Sequence, residues 1–126
     1  KKNVYYSKTD TVIAKSLHEL GRTYRRINSD TALWWLNQLI SFAEKKKLNK
    51  YVAKGLMTSA NVYRYNNDLD KSKQYYFKAL NEYKEIKDVD GVALAYGCIL
   101  KCFILESINE DSIHYYFEKH FPTKIL

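Results

Sequence analysis

Three stretches of this chain, forty residues apart, carry the same arrangement of apolar and polar positions: DTALWWLNQLI (30–40), DKSKQYYFKAL (70–80) and EDSIHYYFEKH (110–120). In each, a small residue (Ala32, Ser72, Ser112) precedes a bulky one (Leu36, Tyr76, Tyr116) by four positions, which puts both on one face of a helix. Upstream of each lies a second helical pattern, with bulky or small residues at intervals of three, one and three. These are Leu17, Leu20, Gly21, Tyr24; Leu56, Ser59, Ala60, Tyr63; and Tyr96, Ile99, Leu100, Phe103. Short polar stretches, INSD, NNDLD and SINED among them, separate the two patterns with residues suited to turns and helix N-caps. Each unit is therefore expected to be helix, tight turn, helix.

The pattern predicts six helices, about 10–26, 30–46, 49–65, 69–86, 91–105 and 109–120, and requires no strand. Gly91, after KDVD, marks the longest turn between units, and the single proline, Pro122, follows the last helix, where it interrupts nothing. The fold class expected is all-α: three antiparallel helix pairs, 10–46, 49–86 and 91–120, stacked as an α-α superhelix in a single domain spanning 1–126.

These residues carry a resemblance. LHELGRTY followed by ALWWL resembles the tetratricopeptide signature W-x2-L-G-x2-Y and A-x3-F, with Leu17 in the Trp place and Leu36 in the Phe place. NNDLDKSKQYYFKAL (66–80) is similar to the family's turn and second helix, Ala79 occupying the small site that lets a neighbouring helix approach. The third unit departs: Leu100 stands where Gly21 and Ala60 are small, and Lys119 where Ala79 is. The forty-residue period also exceeds the family's thirty-four, and units one and two lack the proline that usually ends the second helix. Longer helices follow, as in the extended arrays of bacterial signalling and regulatory proteins, of which this chain is expected to be a fragment.

The resemblance implies a solenoid whose first helices line a concave, peptide-binding face. Mapped onto this sequence, that face comprises His18, Arg22 and Arg25, then Lys54, Thr58, Asn61 and Tyr65, then Lys101, with Arg22, Asn61 and Lys101 forming a row. The expected partner is a protein or peptide, an acidic one matching the Arg and Lys donors. The family's carboxylate-clamp pattern is matched at Asn61 but not at Met57, Gly97 or Cys98.

Composition changes this picture only at its edges. Lys and Arg outnumber the acids 21 to 14, a formal charge of +7, which opens a second class, a nucleic-acid-binding helical repeat using the basic surface. Spacing argues against it, because most of the twelve tyrosines fall on core positions and few rings remain for bases. Self-assembly through exposed solenoid ends is the third. The densest basic run, Lys45–Lys47, sits at a helix end, where lysines suit the dipole. Cys98 and Cys102, four apart, are expected to be small buried hydrophobes, and with His18, His114 and His120 they offer no metal-ligand spacing. No nucleophile elbow, phosphate loop or paired metal-binding histidines are present, so no enzyme and no cofactor are expected. No apolar run is expected to approach the roughly 18 residues of a membrane span, and compartment stays open. Trp34 and Trp35 are adjacent, so only one can face the core. The stretch GVALAYGCILKCFIL is apolar around most of its circumference and needs cover from a further repeat, a partner, or this chain.

Overall fold

A computed structural model describes the backbone from Lys2 to His120 and the side chains from Lys8 to Glu110. The described chain is all-helical: α1 (Lys2–Tyr24), α2 (Ser29–Lys45), α3 (Asn49–Tyr65), α4 (Leu69–Glu85) and α5 (Val89–His120). Each helix packs antiparallel against the next in sequence, and α1 also touches α3. The side chains of Ser112, His114, Tyr116, Lys119 and His120, and all of Pro122, lie outside the described residues.

Three of the four turns are the same turn at twenty-residue spacing. Lys47, Asn67 and Lys87 adopt φ of 59°, 62° and 59°. In each, the following residue's N–H reaches back to close the helix: Leu48 to Ala43 O (2.8 Å), Asp68 to Tyr63 O (2.9 Å), Asp88 to Tyr83 O (3.0 Å). A second bond runs from Lys47, Asn67 and Lys87 N–H to the carbonyls of Glu44, Arg64 and Lys84. This pair of bonds is the Schellman arrangement, which satisfies carbonyls that a helix end would otherwise leave open. Asp68 and Asp88 then cap the next helix by accepting from Lys71 and Gly91 N–H, and Asn28 does so for Thr31. Leu48 has no capping side chain and packs instead between the two core clusters.

Those clusters follow the expected faces over the first four helices. Ala14, Ala32, Leu36, Leu39 and Val62 form one, with Leu17 and Tyr24 against it. The other joins Ala43, Leu56, Ala60, Tyr76, Ala79 and Tyr83 to Ala95, Cys98, Ile99 and Cys102 of α5. Small residues set the closest approaches. A methyl group on Gly21 would overlap the Leu36 side chain, and one on Gly91 would overlap the Tyr83 ring. Ser72, fully buried, donates from Oγ to Ala60 O at 2.8 Å, tying α4 to α3. Trp35 is half-buried and Trp34 exposed, edge-on to each other at 4.9 Å between ring centroids. Both cysteines are buried and free.

Three expectations are corrected. Gly91 does not form a turn; the turn is at 86–88, and Gly91 lies in the first turn of α5, where the Tyr83 ring leaves no room for a side chain. The helices expected at 91–105 and 109–120 are one continuous helix, so the third pair does not form. The next turn in the twenty-residue series would fall at Ser107 and Ile108, and there Ile108 neither caps nor finds cover, being exposed. Leu100, forty residues after Ala60, is exposed as well. Finally, Val89–Glu110 is long and apolar enough to cross a membrane by length and composition, although in the fold it lies against α4 through Ala95, Ile99 and Cys102.

Candidate functional site

Because consecutive helices are antiparallel neighbours, α1, α3 and the start of α5 share one side of the molecule, and a cleft of about 310 Å³ opens between them. Its lining is His18, Arg22 and Arg25 from α1, Lys54, Met57, Thr58 and Asn61 from α3, Tyr83 from α4 and Leu94 from α5. Six of the eight sequence-selected residues therefore meet: His18, Arg22, Arg25, Lys54, Thr58 and Asn61. The other two do not. Lys101 is exposed seven residues beyond Leu94, two turns further along α5 and about 10 Å away. Tyr65 is exposed at the end of α3, its hydroxyl accepting from Arg26 Nη2 at 3.3 Å, and the Arg26 and Arg64 guanidinium groups lie 5.6 and 5.7 Å from its ring centroid. The row Arg22–Asn61–Lys101 is thus broken at its third member, where Leu94 takes the place of a cation in the cleft.

The lining that sequence reasoning missed is apolar: Met57, Tyr83 and Leu94. Met57 and Tyr83 are buried and form the floor, with the basic side chains around them. Only Met57 had a visible signal, an apolar residue where a polar one was sought; Tyr83 comes from a second helix.

The polar groups are held in place. His18 Nε2 and Thr58 Oγ1 are 2.8 Å apart, a hydrogen bond that joins α1 to α3 across the cleft. Burial, then the charges of Arg22 and Lys54, push His18 down to about 4 despite the opposing charge of Glu19, so it is neutral at pH 7. Asn61 Oδ1 accepts from the hydroxyl of Tyr76, which itself accepts from Arg64 Nε at 3.1 Å. The Asn61 carbonyl is therefore occupied, leaving its NH₂ to donate into the cleft. Arg22 pairs with Glu19 at 3.1 Å on an exposed surface, a contact of little energetic weight that leaves the guanidinium's other donors available. Lys54 Nζ lies 5.1 Å from the Tyr51 ring centroid. The cleft presents three cations and no carboxylate among its lining residues.

A larger hollow of about 430 Å³ lies on the opposite side, between α2 and α4 with Val52 and Leu56 at its floor. Its rim carries Glu44, Lys78 and Glu82. Burial, then Glu85 and Glu44, raise Glu82 above its ordinary value. The mixed charges there select no particular ligand. Among the described residues, no three His, Cys, Asp or Glu side chains are grouped to hold a metal ion.

Comparison with protein-family models, with curated protein sequences and with solved structures returns no match.

Proposed function

We propose that this chain is a peptide-binding helical-repeat scaffold of the tetratricopeptide type, an interaction or sensor segment of a larger bacterial signalling or transcriptional regulatory protein. The observation that carries the reading is the cleft between α1 and α3: cationic rim, apolar floor, and polar groups already fixed by bonds to the fold. An extended segment of another polypeptide suits it. Arg22, Arg25 and Lys54 would meet acidic side chains, the Asn61 amide a backbone carbonyl, and Met57 with Leu94 an apolar side chain. Fixed donors lose little entropy on binding, so such contacts favour the bound state more than mobile ones would. The solenoid geometry and the family assignment belong to the same proposal, and they rest on the two helix pairs α1–α2 and α3–α4 and the residues that carry the resemblance.

The test is a calorimetric titration with extended acidic, neutral and basic peptides, run beside mixed single-stranded oligonucleotides at two salt concentrations. Acidic peptides should bind tightest, and Arg22→Ala or Lys54→Ala should weaken them about tenfold, while Lys101→Ala and Tyr65→Ala should not. Binding to no peptide, or tighter and steeply salt-dependent binding to oligonucleotides, would replace this reading with the nucleic-acid one.

A further inference from the structure

One face of α5 is built for a helix that the same chain does not lay on it. In α3, Leu56, Ala60 and Tyr63 form the face that α4 covers: Leu56 is 9% exposed and Ala60 0%, and Tyr63 stacks on Tyr75 at 5.1 Å between ring centroids. The residues forty further on, Tyr96, Leu100 and Phe103, are 51%, 60% and 49% exposed. The sequence that should cover them is present. Residues 109–120 repeat the α4 pattern, with Ser112 and Tyr116 in the places of Ser72 and Tyr76. Yet α5 runs unbroken to His120, and a continuous helix cannot fold back on itself. Its last fourteen residues extend about 20 Å beyond Glu106.

We propose that residues 109–120 of one copy cover the Tyr96–Leu100–Phe103 face of a second copy, and reciprocally, making a two-fold dimer in which each chain completes the other's third helix pair. The exchange uses the contacts a closed hairpin would use and dispenses with the turn at Ser107 and Ile108, where Ile108 stands in the place of the capping Asp68 and Asp88 and neither residue has left-handed backbone. The occupant is thus specified by the chain's own repeat, independently of what the cleft binds.

Sedimentation equilibrium over a range of concentrations should show a monomer–dimer equilibrium; a monomer throughout would overturn the proposal. Ser107→Asn with Ile108→Asp recreates the Asn67–Asp68 turn and should close the hairpin within one chain, giving a monomer with unchanged helical circular dichroism. A dimer that persists in that variant would show that exchange is not what joins the copies. Should the variant fail to fold, a second measurement decides. Phe103→Cys with Tyr115→Cys places thiols at the register of Tyr63 and Tyr75, and oxidation should yield covalent dimers on a non-reducing gel. A bond formed only within single chains, or a monomer that cosediments with phosphatidylserine-containing vesicles through the α5 face, would overturn it.

Discussion

α3 has a helix on each side: α2 before it, α4 after it and α1 across the cleft, and nine of its seventeen residues are buried. α5 begins with the same Schellman turn, and its Ala95, Cys98, Ile99 and Cys102 join the same core, but the face corresponding to Leu56, Ala60 and Tyr63 is open. Forty residues apart, the two helices share one design and differ in what covers them. The difference shows that the helical period specifies a buried face, whereas the turn that follows decides whether this chain supplies the cover. A helix pair exists only where both are encoded.

The largest effect should come from emptying the covered face. Tyr76 is fully buried and its hydroxyl links Asn61 to Arg64, so Tyr76→Ala should cost about 4 kcal/mol in urea unfolding, from lost packing and an orphaned hydrogen-bond pair. Phe103→Ala, on the half-exposed face where the Lys73 ammonium lies over its ring at 4.9 Å, should cost the dilute single chain about 1 kcal/mol or less. Equal losses would mean that the two faces are covered alike.

Exchanging the residues at the contact sharpens the same point. Ala60 is fully buried, with its carbonyl 2.8 Å from Ser72 Oγ. Ala60→Leu, which writes the Leu100 residue into α3, should cost about 3 kcal/mol by forcing α4 away. Leu100→Ala should be nearly neutral in the single chain and should lower only the concentration-dependent part of its stability. A mild effect of Ala60→Leu would show that α4 can move aside for a bulky residue at this contact.

How far these regions were legible in the sequence follows from the same contrast. The positions of α2 to α4 and the buried faces of α1 to α4 follow from periods of three and four, because each face meets a neighbour in this chain, whereas α1 starts at Lys2, eight residues before the expected start near 10. For α5, the interval pattern Tyr96, Ile99, Leu100, Phe103 identified the face toward a second helix, but the face buried against α4 is Ala95, Cys98, Ile99 and Cys102. The turn at SINED was misread because Asn, Asp and Ser permit a turn without compelling one, and no cap or packing contact at Ile108 tips the balance. In the cleft, the α1 and α3 residues were found because they belong to adjacent first helices with one register. Leu94 replaced Lys101 because where α5 meets the cleft depends on how the pairs stack, which no local pattern encodes.

His18 tests the other side of α3, where its partner is Thr58. Folding lowers the His18 pKa from 6.5 to about 4, so between those values the unfolded chain binds a proton that the folded chain does not. The resulting stability is fully present above pH 6.5 and is lost as pH falls from 6.5 toward 4. About 2 kcal/mol should be lost over that range in wild type beyond what His18→Gln loses, the difference cancelling the carboxylates that titrate alongside. Parallel pH profiles for the two proteins would mean that His18 titrates as it does in solvent and that α1 is not fastened to α3 there. An acidic peptide in the cleft should raise the His18 pKa, visible as a shift of its imidazole proton resonance to higher pH.

The smallest effect concerns the entrances of α3 and α5, where the comparison predicts likeness. Lys47 and Lys87 both hold left-handed backbone, at φ of 59° in each case, one turn residue before the helix cap. A side chain there crowds the following carbonyl at a cost of about 1–2 kcal/mol, part of which glycine recovers while losing some through its freer unfolded state. Lys47→Gly and Lys87→Gly should therefore each stabilise the chain by about 0.5–1 kcal/mol, and by equal amounts, since neither lysine is buried. Asn67→Gly should gain less, because asparagine already tolerates that conformation. A gain at Lys47 without one at Lys87 would mean that α5 opens from the bundle before the rest of the chain unfolds, so that its entry turn no longer contributes to the measured transition. The likeness of α3 and α5 would then be confined to sequence and static geometry, and the open face of α5 would weaken the helix from its first turn, well before Ser107.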